Sequence, residues 1–227
     1  GTLTVQRRSD IPVGVLQIAA GGNAACARLA NGEVTCWGGG QLGRGLSNGN
    51  RDTQEVGEVT IADGPLTEVA MIDMGGESSC AVRDDGSVWC WGTGLLGDGS
   101  YPPSTPPVAV QLRLGTERIP GATSAPVENA TQVALGDSFG CFLDANGDVS
   151  CWGLNDVGQL GFDGGYMNCQ QTSESCLNHA YRVEAQQLSN VQLIRVGARH
   201  ACALTNTNNN QVRVVCWGDN RQRQTRP

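Results

Sequence analysis

The sequence predicts an all-β protein, and more specifically a β-propeller built of four-stranded blades. Three observations predict it: 32 glycines in 227 residues, ten cysteines at recurring spacings, and four segments that repeat one another. Glycine-rich turns between many short apolar runs are typical of all-β folds. A repeat of roughly 50–60 residues that contains four strands is typical of a propeller blade.

Each of the four repeats consists of a short apolar strand, a glycine turn and a β-hairpin that ends in Cys-Trp-Gly. A further strand after a polar or proline-rich link completes the blade. We expect one domain over residues 1–227, with repeats at 16–66, 67–128, 129–190 and 191–227. Within residues 1–15, the alternating segment Thr2–Gln6 is a possible closing strand for the fourth blade.

The hairpins predict four disulfide bonds. In the first hairpin, the loop Ala30-Asn31-Gly32 places Cys26 opposite Cys36, with glycine at the position that requires a positive φ. The two cysteines fall on a non-hydrogen-bonded rung, where Cα atoms are about 4.5 Å apart. That separation lies within the roughly 4.4–6.8 Å that a disulfide accepts. The same register predicts the pairs Cys80–Cys90, Cys141–Cys151 and Cys202–Cys216, and Gly86 and Gly147 take the place of Gly32 in the second and third hairpins.

A fifth disulfide is expected between Cys169 and Cys176, which lie outside the hairpins. Disulfides at this density indicate an oxidising compartment, so we expect an extracellular, cell-surface or periplasmic protein. The alternative interpretation is a core that contains ten reduced cysteines.

The second cysteine of every hairpin is followed by a tryptophan: Trp37, Trp91, Trp152 and Trp217. Because side chains alternate along a strand, these indoles point away from the face that carries the cysteines and Val34, Val88 and Val149. We expect the cysteine face to pack blade against blade, and each tryptophan to stack on a neighbouring blade. The alternative is a set of aromatic side chains that stack on a ligand.

The repeats resemble the regulator of chromosome condensation repeat. The resemblance rests on the pattern that leads through the hairpin to Cys-Trp-Gly and into glycine-rich loops such as Gly40-Gln41-Leu42-Gly43. It covers essentially the whole chain and implies a propeller, usually of seven blades in that family. The cysteine-stapled form resembles secreted bacterial members. With four repeats, the chain is either a small closed ring or an arc of a larger propeller, completed by further sequence or by a second copy.

The composition excludes several classes of function. The 22 acidic and 15 basic residues give a net charge of −7, whereas a nucleic-acid partner requires a basic surface. There is no lysine, and there are only two histidines, His179 and His200, so little is available for Schiff-base, acid–base or metal chemistry. No apolar stretch reaches the roughly 18–20 residues of a membrane span. We therefore expect no enzyme activity, no cofactor, no metal, no nucleic-acid partner and no membrane span.

Three short motifs imitate functional sites. Residues 136–140 match the GxSxG nucleophile elbow, but the sister repeats place an ordinary turn there, and the motif requires an α/β context. Asp144, Asn146 and Asp148 imitate a calcium loop that lacks its glycine and its final glutamate. His200 and Cys202 could form a metal pair, although the cysteine is assigned to a disulfide. Each motif is interpreted as structural.

The segment from Gly161 to Tyr181 is the most individual part of the sequence. Insertions in repeat proteins often serve binding, and a disulfide reduces the entropy lost on binding. The alternative is a stapled surface loop without a partner. The residues predicted to contact a protein partner are Phe162, Tyr166, Met167, His179 and Tyr181.

The function that the sequence favours is a non-enzymatic, extracellular propeller that serves as a protein-interaction or structural module. Its partner is either an unidentified protein or other copies of this chain. One alternative is a self-assembling surface or filament protein, whose blades are completed by strand addition between chains. Another is a propeller-type inhibitor of a hydrolase.

Overall fold

A computed structural model describes residues 8–45, 55–76, 78–100, 108–116, 123–162, 176–183, 188, 190–206 and 211–226. Within these ranges every regular element is a β-strand, and the strands form four successive antiparallel blades. The prediction of an all-β propeller is confirmed.

Blades 1 and 2 each contain four strands, ordered as in the sequence from the first strand to the last. Blade 1 consists of β1 (Val15–Gly21), β2 (Ala24–Leu29), β3 (Val34–Gly38) and β4 (Gly57–Glu58), and the short β5 (Thr60–Ile61) and β6 (Gly64–Pro65) follow it. Blade 2 consists of β7 (Val69–Met74), β8 (Ser78–Arg83), β9 (Val88–Gly92) and β10 (Val110–Gln111).

Blade 3 is joined at its outer edge to a hairpin that precedes it in sequence. The hairpin consists of β11 (Arg113–Gly115) and β12 (Ser124–Pro126), and the blade consists of β13 (Ala130–Leu135), β14 (Phe139–Asp144), β15 (Val149–Leu154) and β16 (Cys176–Arg182). Strand β16 runs parallel to β11, with Leu114 opposite Ala180. Blade 4 shows three strands in the described residues: β17 (Val191–Val196), β18 (His200–Asn206) and β19 (Val212–Gly218).

The hairpin register explains why the cysteines pair. Cys26 lies directly opposite Cys36, and the corresponding cysteines of the other three blades face each other in the same way. All four hairpin disulfides are present, with Cα–Cα separations of 4.0–4.1 Å. The loop glycines Gly32, Gly86 and Gly147 have φ near +80°, which a residue with a Cβ adopts only at a cost.

The core lies between blades, where the tryptophans that end the hairpins of blades 2, 3 and 4 pack on the disulfide of the preceding blade. Trp91 belongs to the apolar cluster that contains the Cys26–Cys36 disulfide. Trp152 packs with the second disulfide in the same way, and Trp217 with the third. The indole Nε1 of Trp152 donates to the carbonyl oxygen of Leu95 at 3.0 Å, and that of Trp217 to Gln159 at 3.0 Å. At each interior joint, therefore, a tryptophan of one blade packs on the disulfide-bonded hairpin of the preceding blade.

Glycine turns at the ends of the innermost strands bring successive blades into backbone contact. A Cβ on Gly75 would overlap the carbonyl oxygen of Gly136, and a Cβ on Gly21 would overlap that of Gly75. At the other end of each joint, the carbonyl of a hairpin-loop glycine accepts from the first strand of the next blade, as in Val69 N–H to Gly32 at 2.9 Å. The joints are thus fixed at both ends by glycine.

The four blades form an open arc. The apolar side chain of Ile18 in blade 1 is 74% exposed, and that of Val214 in blade 4 is 67% exposed, so the two end blades do not cover each other there. The predicted closing strand Thr2–Gln6 lies outside the described residues, and residues 8–14 contain no strand.

Candidate functional site

The two end faces of the arc expose apolar side chains whose equivalents in the other repeats are buried. The strand register makes Ile18 equivalent to Ile72, Val133 and Ile194, because each lies opposite the residue after the first hairpin cysteine. The three equivalents are at most 1% exposed, because the preceding blade covers them. Ile18 has no described blade in front of it.

The leading face is the exposed side of blade 1, defined by Val15, Ile18 and Trp37. Val15 is 40% exposed, whereas its equivalent in blade 2, Val69, is almost fully buried. Trp37 is half-buried, and the guanidinium of Arg8 lies 5.7 Å from the centre of its ring. The leading face is therefore apolar, with one cation above the indole.

The trailing face is the exposed side of blade 4, defined by Val214 and the Cys202–Cys216 disulfide. Val214 occupies the position of Val34, Val88 and Val149, two residues before the second hairpin cysteine, and all three equivalents are at most 3% exposed. Cys202 and Cys216 are half-buried, whereas the six cysteines of the first three hairpins are fully buried. The trailing face thus presents the surface on which a tryptophan sits at each interior joint.

Unequal burial predicts the order in which the hairpin disulfides are reduced. We expect a mild phosphine reductant under native conditions to open Cys202–Cys216 first, because Cys202 and Cys216 are the only partly exposed cysteines among the four described hairpin disulfides. Pulse alkylation followed by peptide mass spectrometry measures the order. Reduction of Cys80–Cys90 at the same rate would contradict the prediction.

Side-chain polar groups connect the first strands of adjacent blades. Gln17 accepts the N–H of Ile72 at 3.0 Å and donates to the carbonyl of the same residue at 2.8 Å. Gln132 accepts the N–H of Ile194 at 2.9 Å. Blade 4 has Leu193 at the corresponding position, so its trailing face lacks this amide.

Blade 2 uses a carboxylate for the same purpose. An Asp73 carboxylate oxygen accepts the N–H of Leu135 at 2.8 Å. Burial raises the pKa of Asp73 above its usual value, and the hydrogen bonds from Leu135 and Met74 and the charge of Arg195 offset this effect only in part. The ionised form is therefore disfavoured in the folded protein.

The raised pKa makes the contribution of Asp73 to stability dependent on pH. The contribution is fully present below the unfolded pKa, near 3.8, and is lost as the pH rises through the higher folded value. We expect Asp73→Asn, which keeps an acceptor for Leu135 and cannot ionise, to gain stability relative to the parent between pH 3 and pH 7. Urea unfolding without reductant at both pH values measures the change. If the free energy of unfolding of Asp73→Asn differed from that of the parent by the same amount at pH 3 and pH 7, the prediction would be wrong.

The structure describes three of the five residues that were predicted to contact a partner. Phe162 and His179 are buried, and Tyr181 is partly buried against Phe162 with ring centres 5.8 Å apart. The reason is that Cys176–Arg182 forms β16, between β15 and β11, rather than a loop. Phe162 and His179 are therefore core residues, and Tyr181 packs against the core with part of its side chain exposed. Tyr166 and Met167 lie outside the described residues.

Only one cysteine of the fifth predicted disulfide, Cys176, lies within the described residues. Cys176 is fully buried and disulfide-bonded. Its expected partner, Cys169, lies outside the described residues. The pairing with Cys169 stays a prediction.

The short motifs occupy turns and hairpins. The carboxylate of Asp144 accepts the backbone N–H of Asn146 and of Asp148, each at 2.9 Å, which is the hydrogen bonding of a hairpin turn. Ser138 lies in the turn before β14, and Cys202 is disulfide-bonded. In the described part of the chain, no cluster of three or more metal-ligating side chains is found. The same part contains no helix that is long and apolar enough to cross a membrane.

A cavity of about 500 Å³ lies between blades 1 and 2 beside the stacked glycine turns. Its polar side chains are Asn23, Gln41, Ser78, Ser79 and Thr93, and its described lining contains no charged group. Such a lining offers hydrogen bonds but no acid–base pair.

The apolar end faces are the stronger candidate sites, and sequence reasoning missed Ile18 and Val214 within them. Aligning the repeats would have identified both, since they match buried positions but lack a neighbouring blade.

The comparison with protein families agrees with the repeat structure. The profile of the Regulator of chromosome condensation (RCC1) repeat matches residues 15–44, 69–97, 130–159 and 191–224. Each match covers the first three strands of one blade. Blades and matched segments therefore coincide.

Curated relatives share the repeat across most of this chain. The human E3 ubiquitin-protein ligase HERC2 is 27% identical over 216 residues, which cover 92% of this chain and 4% of HERC2. The Ultraviolet-B receptor UVR8 of Arabidopsis thaliana is 28% identical over 207 residues, or 91% of this chain and 42% of UVR8. The chain thus spans less than half of each relative.

Solved structures show the same fold. Yeast RCC1 (Prp20), crystallised with Kap60, aligns with a TM-score of 0.68 at 18% identity, over 91% of this chain and 44% of the other. Human WBSCR16 aligns with a TM-score of 0.66 at 20% identity, over 90% of this chain and 47% of the other. At these identities the likeness establishes the fold alone.

Proposed function

Because the chain belongs to the Regulator of chromosome condensation (RCC1) repeat family, we propose that it is a non-enzymatic protein-interaction module of an oxidising, extracellular compartment. The observation that carries the proposal is the exposure of joint residues at both ends of the arc, above all Ile18 and Val214. Exposed apolar side chains that the other repeats bury favour a binding surface at each end face.

The scaffold suits binding because its hairpins are held rigid. Each hairpin is closed by a disulfide, and three of these four disulfides are also sealed under the tryptophan of the next blade. A surface that is already ordered loses little conformational entropy when a partner binds. The structure of yeast RCC1 with Kap60 supports the idea that propellers of this family bind proteins.

The cysteines support the proposed compartment. No described cysteine is free, and structural disulfides persist in oxidising surroundings. Alkylation of the protein taken directly from its source, without reductant, tests this part of the proposal. We expect no cysteine to be modified, and extensive modification would place the protein in a reducing compartment.

A site-specific crosslink tests the binding function. A photoreactive phenylalanine analogue at position 18, on the leading face, is compared with the same analogue at position 31, on the exposed hairpin loop. In the native extracellular fluid, we expect a discrete protein adduct from position 18 only. Excess parent chain should compete for this adduct, and the Ile18→Asp chain should not. Absence of any competed adduct would overturn the proposal.

A further inference from the structure

We propose that the cavity between blades 1 and 2 binds a neutral, polyhydroxylated molecule of the size of a simple sugar. The inference goes beyond the proposed function and does not depend on the end faces, because both walls of the cavity belong to an interior joint. Ala24 and residues 39–42 of blade 1 line one wall, and Ser79 and Thr93 of blade 2 line the other. The volume of about 500 Å³ lies within the roughly 300–1,000 Å³ of small-molecule sites.

The loop after the hairpin is shorter in blade 1 than in blade 3. The motif Gly-Gln-Leu-Gly follows the hairpin in both blades, at 40–43 and at 158–161. Three residues, Asn155-Asp156-Val157, precede the motif in blade 3 and have no counterpart in blade 1. In blade 3 this extra length lets Asp156 reach the next blade, where its carboxylate forms an ion pair with Arg199. Blade 1 lacks the residues that cross the joint, so space remains between blades 1 and 2.

A small side chain on the wall of blade 1 adds to this space. Ala24 and Phe139 occupy equivalent positions, each opposite the glycine that follows the hairpin tryptophan. Phe139 is 3% exposed and packs in the apolar cluster at the joint between blades 3 and 4. Alanine at position 24 leaves the corresponding volume open. The cavity is therefore a specific feature of one joint rather than a property of the repeat.

The polar side chains around the cavity have hydrogen-bonding capacity that the protein does not use. In the described part of the chain, no side-chain hydrogen bond to another residue is formed by Asn23, Gln41, Ser78, Ser79 or Thr93. The amide of Gln159, which is equivalent to that of Gln41, accepts the N–H of Val157 at 2.9 Å and donates to Asp156 at 2.8 Å. Ser79 is only 5% exposed. Because buried polar groups are normally satisfied, these groups are available to a molecule in the cavity.

The lining determines which class of molecule fits. Its described part contains no charged group, so a charged ligand would lose hydration without gaining an opposite charge. Hydroxyl and carboxamide groups both donate and accept hydrogen bonds, which suits a ligand whose hydroxyls do the same. Ala24, Leu42 and Met74 add apolar surface, on which the C–H groups of a sugar ring can pack. A neutral sugar therefore matches both the polar and the apolar parts of the lining.

Saturation-transfer difference NMR on the oxidised protein tests the site with D-glucose, D-galactose and N-acetyl-D-glucosamine. We expect saturation transfer to at least one of these sugars. D-Glucuronate, which adds a carboxylate to the same ring, should bind at least about tenfold more weakly. Ala24→Phe places the side chain of the equivalent position in blade 3 into the cavity. This variant should remain folded by circular dichroism and should show no transfer.

Ser79→Ala removes one hydroxyl without filling the cavity, and blade 4 has Ala201 at this position. The dissociation constant should rise about threefold to tenfold, as expected for the loss of one hydrogen bond. Ser138→Ala is the matched control, because Ser138 is a partly buried serine of blade 3 that does not line the cavity. It should bind like the parent.

Three results would overturn the inference. The first is a parent that shows no transfer to any of the three sugars, which would mean that the cavity holds water alone. The second is unchanged binding by Ala24→Phe, which would place the sugar elsewhere on the protein. The third is tighter binding of D-glucuronate than of the neutral sugars. If Ala24→Phe does not fold, unchanged binding by Ser79→Ala is the result that excludes this cavity.

Discussion

Replacing Trp152 with alanine is expected to lower the free energy of unfolding by about 3–5 kcal/mol. Trp152 is 1% exposed and packs in the cluster that contains the Cys80–Cys90 disulfide. Its indole N–H donates to the carbonyl of Leu95, and a Cβ on Gly97 would contact its ring. Alanine would leave a cavity at the joint and a buried carbonyl without its donor. Urea unfolding without reductant measures the loss.

Trp37→Ala provides the matched control for this prediction. Trp37 has the same position in its hairpin, but no described blade precedes it and its indole is half-buried. Its removal should cost less than about 1.5 kcal/mol, since less apolar area leaves the protein interior. Equal losses in the two variants would show that the tryptophans stabilise their own hairpins rather than the joints between blades.

Most of the fold was predictable because its signals are local. A hairpin is specified by its loop glycine and by strand alternation, so Cys26 and Cys36 were placed on one rung by counting alone. The tryptophan next to Cys151 was predicted to contact a neighbouring blade by the same parity argument, and it does so. Each of these inferences needed only about a dozen consecutive residues.

The end faces and the outer edge of blade 3 depend on residues far apart in sequence. Whether Ile18 is covered depends on what lies in front of blade 1 rather than on the residues around β1. Similarly, His179 is buried because β16 lies against β11, where the ring packs on Gly115. The individual character of the segment 161–181 suggested a binding loop, but its described side chains fill the joint between blades.

The arrangement also couples stability to binding. Equivalent apolar residues stabilise a joint where a neighbouring blade buries them, as with Ile72, and favour binding where they are exposed, as with Ile18. The leading face has one charged group over its tryptophan, Arg8, which forms an ion pair with Asp10. Both side chains of this ion pair are exposed to solvent, which screens their charges, so the pair contributes little to covering the surface.

Gly75→Ala is expected to lower the free energy of unfolding by about 3 kcal/mol or more. The Cβ of alanine would overlap the carbonyl oxygen of Gly136 and lie 3.1 Å from the Cβ of Leu135. Since the obstacle is backbone rather than the end of a flexible side chain, blades 2 and 3 would have to separate. The N–H of Gly76, which donates to Gly136 at 3.1 Å, would move with them. Urea unfolding without reductant, together with hydrogen exchange at Gly76, measures both effects.

Gly39→Ala controls for the general cost of replacing a glycine. The backbone of Gly39 does not have a positive φ, and a Cβ there would lie 3.6 Å from the Cβ of Asn23, an ordinary contact. The N–H of Gly39 that donates to Asn23 is kept, so we expect a change within about 0.5 kcal/mol. If Gly75→Ala were equally mild, the blades would be able to slide apart without loss. The tryptophans rather than the glycine turns would then set the spacing of the arc.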